Sequence, residues 1–442
     1  MFRRSAIPSA EVHATLGKHI LVDGYPFVVD LEKSRGSLVH DALTGNELVD
    51  FYSFFASNPL GFNHPGMLDE RTRERLARVS TVKVANSDKY TTYYAEFVDT
   101  IERTCGPKDL TKYFFVEGGA LAVENALKTA FDWKVRKNIA AGHGDQKGMQ
   151  VLHLKHAFHG RSGYTLSLTN TDPNKTNYFP KFDWPRIPSP MIRWPLAEHL
   201  AETEERERGT LAAAEAAFAE RPNEIAAIII EPIQAEGGDN HFRPELFAAL
   251  RRLADEHEAL LIFDEVQTGV GATGKWWAYE HYGVTPDIVC FAKKLQVGGI
   301  FVGDRIDDTE NVFTKPGRIN STWGGGLVDM VRATRILEII VDEDLLANAK
   351  ARGDELLRGL MKIQERHPMV DGARGLGLLC AFDLPDGAKR DAAIKRCFAD
   401  GMLVLSCGSR TVRFRPSLNV TAEIIAEGLK RLEKAITEVE AL

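Results

Sequence analysis

The feature that most constrains this chain is a set of short, predominantly apolar runs separated by helical stretches: "MQVLHL", "EIAAIIIEP", "ALLIFDEV" and "PDIVCFA". Runs of β-branched residues and leucine without polar alternation belong to strands buried on both faces. Between and before them, "EGGALAVENALKTAFDWK", "TLAAAEAAFAER" and "RPELFAALRRLADEHE" carry helix-forming residues with apolar positions at helical spacing. Alternation of this kind predicts an α/β fold: a mostly parallel central sheet covered by helices.

The flanks have a different rhythm. Residues 20–55 alternate apolar and polar positions with DG and TG breaks, the pattern of short strands and turns. Beyond residue 326 come long helices, then the strand-like "GLLCAFDL", "GMLVLS" and "TVRFRP", and a helix near 421–440. Three parts are expected: residues 1–55 as an amino-terminal segment joining the small domain, 56–325 as the large domain, and 326–442 as a smaller α+β domain. The amino-terminal strands are assigned to the small domain because they share its alternating pattern.

Charge and cysteine usage narrow the class. The net charge of −7, from 55 basic and 62 acidic residues, argues against a nucleic-acid or anionic-membrane surface. No apolar run reaches the roughly 20 residues a membrane span needs. "MFRRSAIPSAEVHATLG" has two arginines but no apolar core after them, so no secretory signal is expected. The five cysteines, without CxxC spacing, suggest reduced thiols in a cytoplasm and no metal site.

"GVGATGKW" (Gly269 to Trp276) matches both GxGxxG and GxxxxGK. A P-loop needs Ser or Thr after the lysine to bind magnesium, and Trp276 stands there instead. No acidic residue sits where a dinucleotide fingerprint expects one, about 20 residues on. A turn is the better reading, with nucleotide binding kept as a remote alternative. "FVEGGALAVENALK" is the better anion site. Gly118 and Gly119 permit close backbone approach, and the helix that follows offers unpaired N–H groups.

"LLIFDEVQTG" ends a buried strand on Asp264, where an unpaired carboxylate is costly. Glu265 is expected to point to the opposite side. The next strand runs into Lys293 and Lys294. Taken alone, either lysine reads as a surface residue; desolvated, its amine is a nucleophile able to form an imine. Strand alternation points the two in opposite directions, so only one can serve. A glycine–helix anion loop, a strand-end Asp and a strand-end Lys together meet the needs of pyridoxal 5′-phosphate.

In that order, with "EPIQAEGGDNHFRP", "FHGRSGYTLSLTNT", "TPDIVCFAKK" and "INSTWGG", the chain resembles the class III (ω-) aminotransferases of fold type I over nearly its whole length. Within the class it is most similar to the enzymes acting on the ε-amino group of L-lysine, and those acting on 4-aminobutyrate are near relatives. The resemblance implies that Lys293, seven residues after Pro286, holds pyridoxal phosphate. Lys294 is then a neighbour whose charge lowers the pKa of Lys293. Asp264 would pair with the pyridine nitrogen, Gln267 with the phenolic oxygen, and Phe158 would stack on the ring. Gly119 and Ala120 would bind the phosphate, with Thr322 supplied by the second subunit of a homodimer.

The resemblance further implies transfer of the ε-amino group of L-lysine to 2-oxoglutarate by a ping-pong route. The products would be L-glutamate and 2-aminoadipate 6-semialdehyde, which cyclises to piperideine-6-carboxylate. Arg161 is the candidate for the donor's distal carboxylate and Arg413 for the α-carboxylate of the acceptor, with Arg415 its local competitor. Glu236 is expected to mask Arg413 while the donor is bound. Asn320 and the segment around Phe55 and Ala56 are candidates for the donor's α-amino group. Ornithine and 4-aminobutyrate remain alternative donors.

Overall fold

The computed structural model describes residues 7–441, so Arg3 and Arg4 of the amino-terminal reading lie outside the described residues. In chain order the strands are β1 (Val29–Arg35), β2 (Leu38–Asp41), β3 (Glu47–Asp50), β4 (Lys112–Val116), β5 (Gln150–Leu154), β6 (Arg186–Ile187), β7 (Ile225–Ile230) and β8 (Leu260–Asp264). They continue with β9 (Ile288–Phe291), β10 (Gly298–Val302), β11 (Asp371–Leu376), β12 (Leu379–Asp383), β13 (Met402–Leu403), β14 (Leu405–Cys407) and β15 (Thr411–Phe414).

The four apolar runs become adjacent strands of one sheet, ordered β4-β10-β9-β8-β7-β5-β6. Its strands pair in parallel from β9 through β8, β7 and β5 to β6. The exception is β10, antiparallel to both β9 and β4. In β7, Ala227 and Ile229 pack to one side and Ile228 and Ile230 to the other, which is why the sequence shows no alternation. Helix Gly119–Ala140 covers the first side with Val123, Ala126, Leu127 and Ala130. Helix Pro244–Glu256 covers the second with Leu246, Phe247, Leu250 and Leu253. Each fully buried side chain of this size contributes about 1.5–3 kcal/mol.

Outside this sheet, β3 pairs in parallel with β13, so residues near 49 and near 402 share a four-stranded sheet, β1-β2-β3-β13. An antiparallel sheet, β11-β12-β15-β14, places Arg413 between Ala381 and Leu405. Helices Leu327–Asp342, Leu345–Arg366 and Ala422–Glu440 pack with these strands around a common apolar core. No helix among the described residues is long and apolar enough to cross a membrane.

The "GVGATGKW" segment is a packed turn. A Cβ on Gly269 would stand 2.4 Å from the Trp277 ring, and one on Gly271 would stand 2.9 Å from Leu346. Only a four-residue 3-10 turn, Ala278–His281, follows it, so no helix presents N–H groups to a phosphate. The nucleotide-binding alternative lacks its structural basis.

Candidate active site

Ligands of open α/β sheets gather beyond the carboxyl ends of the parallel strands. Here Asp264 ends β8, directly opposite Cys290 of β9, and Lys293 follows two residues after β9 stops. A cavity of about 680 Å³ opens at this edge. Of the residues singled out in the sequence, Gly119, Ala120, Phe158, Arg161, Glu236, Asp264, Gln267 and Lys293 line it, together with Phe55.

The two lysines separate for a reason other than strand alternation. The strand has ended at Phe291, and Lys293 opens a 3-10 turn, Lys293–Leu295, with φ of 44°. A lysine in the left-handed region costs about 1–2 kcal/mol. The turn is held by Leu295 N–H donating to Ala292 O at 3.0 Å and by Gln296 N–H donating to Lys293 O at 2.8 Å. Lys293 faces the cavity, whereas Lys294 is buried and its Nζ donates to the Gln267 carbonyl at 2.9 Å. Burial lowers the pKa of Lys293, and Arg413 and Arg415 lower it further. Those arginines take the part expected of Lys294. Burial, with Arg415 and Lys293, brings Lys294 itself down to about 7.

Asp264 needed a partner and has His159, whose Nδ1 lies 2.8 Å from Oδ2. Its Oδ1 accepts the Val266 N–H at 3.1 Å. His159 Nε2 is buried without a partner. Glu265 turns away, accepting hydrogen bonds from the Thr268 hydroxyl and the Tyr279 N–H. Buried Glu231, just past β7, holds the Phe158 backbone by accepting its N–H at 2.9 Å. Burial, with the nearby charge of Asp264, pushes the Glu231 carboxyl well above its ordinary range. Sequence reasoning passed over both His159 and Glu231. The signal available for Glu231 was the one that found Asp264: a carboxylate ending a wholly apolar run.

Gly118 enters the long helix at φ 94° and ψ 152°, a conformation suited to glycine, and with Gly119 and Ala120 it lines the cavity. A Cβ on Gly119 would stand 2.8 Å from Val266. The start of the helix, whose first-turn N–H groups have no partner within the helix, thus lies at the cavity wall, a cradle for an anion.

At the opposite end, Arg413 Nη2 and Glu236 Oε2 form an ion pair at 2.5 Å. Arg413 is only 1% exposed. Its competitor Arg415 is engaged in a bidentate pair with buried Asp239. Gln267 Oε1 accepts from Arg413 at 3.5 Å and from Arg415 at 3.4 Å, leaving its NH2 donors to the cavity. Arg161 is exposed at the lining and makes no ion pair among the described residues. Lys175, which the sequence reading did not single out, lines the cavity and binds Glu236 Oε1.

Three candidates and one neighbouring position fall outside the lining: Arg413 is reached only through Glu236, which does line the cavity, and Asn320, Thr322 and Ala56 are the others. Asn320 and Thr322 lie on an exposed segment away from the cavity of their own chain; Asn320 Oδ1 accepts the Ser321 N–H, and Thr322 O accepts the Ser87 hydroxyl. The expectation that Asn320 meets the donor is therefore not fulfilled within one chain. Ala56 is buried but does not line the cavity. Among the described residues no cluster of His, Cys, Asp and Glu could hold a metal ion.

An uncovered helix start, a cavity-facing amine, an anchored carboxylate and an amide donor form a set that fits pyridoxal phosphate at every polar position. The sequence pattern of the class-III aminotransferases matches residues 21–436, and the chain belongs to that family, whose cofactor is pyridoxal phosphate. Its relatives include the L-lysine-epsilon aminotransferase of Amycolatopsis lactamdurans, 50% identical over 96% of this chain and 95% of that protein. The L-lysine-epsilon aminotransferase of Mycobacterium tuberculosis is 53% identical over 94% of this chain and 93% of that one. A solved lysine aminotransferase from M. tuberculosis, in its internal aldimine form, superposes with a TM-score of 0.96 at 50% identity, covering 98% of this chain and all of that one.

Proposed function

We propose that this aminotransferase moves the ε-amino group of L-lysine to 2-oxoglutarate, forming L-glutamate and 2-aminoadipate 6-semialdehyde, which closes to piperideine-6-carboxylate. Lysine as the donor is supported by the likeness to the two lysine-epsilon aminotransferases, 50% and 53% identical. The observation that carries the ω-amine chemistry is the unequal state of two arginines. Arg161 is unpaired among the described residues, whereas Arg413 is masked by Glu236. An ω-amine donor brings one carboxylate, far from its reacting nitrogen, and suits a site with one free guanidinium. A dicarboxylate acceptor needs the second guanidinium as well, which Glu236 can release.

Pyridoxal phosphate, when bound, supplies an aldehyde for amino exchange and a ring that withdraws electrons from the adjoining carbon. The residues of the chain do the rest. The Lys293 amine, favoured in its neutral form by burial and by Arg413, is suited to take a proton from the substrate carbon and return it to the carbon on the far side of the nitrogen. Asp264, fixed by His159, would keep a proton on the ring nitrogen of the bound cofactor. Of the residues lining the cavity, Gly119 and Ala120 would hold the phosphate with their N–H groups, Gln267 would donate to the phenolic oxygen, and Phe158 would stack on the ring. Donor and acceptor use the same cavity in turn, which makes the kinetics ping-pong.

Because Asn320 and Thr322 do not reach the cavity of their own chain, we assign them to the cavity of a second copy in a homodimer. The cysteines are all free and buried, in keeping with a cytoplasmic setting. Lysine labelled with ¹⁵N at either nitrogen tests the regiochemistry. Label from the ε position should appear in glutamate and label from the α position should not; the reverse would refute this reading.

A further inference from the structure

Glu236 is bound by two cations through two different oxygens. Arg413 takes Oε2 and Lys175 takes Oε1, each at 2.5 Å. Lys175 belongs to the four-residue helix Pro173–Thr176, capped by Asp172, and its Nζ also lies 5.8 Å from the centre of the Phe158 ring. Its side chain is 30% exposed, while that of Arg413 is 2% exposed. Burial pushes the Glu236 carboxyl up, but Arg413 and Lys175 together bring it below its ordinary value, so it stays ionised.

We propose that Lys175 holds Glu236 when Arg413 is given up to an incoming dicarboxylate, and so is a positioning residue for the acceptor half of the reaction. The proposal rests on the functional reading above and names what makes its switch reversible. With Lys175 absent, freeing Arg413 would leave Glu236 a largely buried carboxylate without a partner, which is strongly unfavourable. With Lys175 present, one oxygen keeps its bond while the other lets go. The charges then balance: Arg161, Arg413 and Lys175 face Glu236 and the two carboxylates of the acceptor. In the donor state the same lysine leaves the Glu236–Arg413 pair undisturbed, because it uses the other oxygen.

The test uses the holoenzyme with Lys175→Met, Lys175→Arg, Glu236→Gln and the Lys175→Met/Glu236→Gln pair. Two quantities are read: the KM for 2-oxoglutarate, and the Kd of glutarate, an unreactive dicarboxylate, by calorimetry. Lys175→Met should raise both about tenfold, the scale of one charge-assisted hydrogen bond. The kcat/KM for L-lysine should move less than about twofold, and Lys175→Arg should restore most of the dicarboxylate affinity. In the Glu236→Gln background, Lys175→Met should change glutarate binding less than about twofold. An equal loss in both backgrounds would mean that Lys175 touches the dicarboxylate itself and would overturn the proposal. So would an equal loss on the lysine side, or no loss at all. Failure of lysine as a donor would strike the proposed function instead and leave the glutarate comparison readable.

Discussion

Lys293 and Lys294 are neighbours in the chain and lie in separate environments. Lys293 faces the cavity from a left-handed turn, while the Lys294 amine is buried against the carbonyl of Gln267, 2.9 Å away. The division follows from where β9 stops: two residues before Lys293 the pleat has ended, and the turn sends the second lysine into the protein.

Reduction of the holoenzyme with borohydride, followed by peptide mapping, should place the pyridoxyl group on Lys293. Lys293→Ala should lose the bound-cofactor absorbance and at least about a thousandfold in activity, as loss of a covalent catalytic group does. Lys294→Met should keep the absorbance. A pyridoxyl group on Lys294 would reverse the assignment.

Lys294 also gives a pH signature. Its pKa falls from 10.5 to about 7 on folding, so between those values the unfolded chain holds a proton that the folded chain does not. The folded state therefore gains stability from this residue as pH rises from 7 toward 10.5, and below 7 its penalty is constant. Thermal melts across this range should show wild type gaining more with pH than Lys294→Met. Parallel curves would contradict the burial of a neutral amine.

Asp264 is fixed by His159 and by the Val266 N–H, so its charge stays at one place in the cavity. Asp264→Asn preserves shape and removes that charge; kcat/KM should fall by roughly 10²–10³. His159→Phe removes the anchor alone and should cost less. Steady-state kinetics of both variants check the ordering.

Glu236→Ala exposes Arg413 permanently. The ratio of donor-side to acceptor-side kcat/KM should then shift at least about tenfold toward the acceptor, the worth of one charged contact. Half-reactions measured separately by stopped flow report it. An unchanged ratio would leave the switch without support.

Arg161 is exposed and makes no ion pair among the described residues, so removing it leaves no buried partner of theirs unpaired. Arg161→Met should raise the KM for L-lysine roughly ten- to a hundredfold through loss of charge-assisted hydrogen bonds, with little change in melting temperature. A large loss of stability would mark it as structural.

The sheet was legible because its strands are buried on both faces: the unbroken apolar runs at 225–230, 260–263 and 288–291 leave no other reading. Asp264 was legible for the same reason, as a charge at the end of such a run. What could not be read were contacts across the fold. His159 meets Asp264 across 105 positions of sequence, and Lys175 meets Glu236 across 61. Nothing local marks either residue, because the pairing depends on loops converging at one sheet edge. Alternation expected the two lysines to part, and they do through a different cause, the left-handed turn at Lys293, which has no signature in "CFAKKLQ".

The central claim is that the free Arg161 and masked Arg413 serve an ω-amine donor, and that this donor is lysine. A panel of L-lysine, L-ornithine and 4-aminobutyrate, each with 2-oxoglutarate, tests it most directly. L-Lysine should give the highest kcat/KM, with glutamate and the cyclised aldehyde formed in equal amounts. A higher kcat/KM for 4-aminobutyrate or L-ornithine would contradict the account.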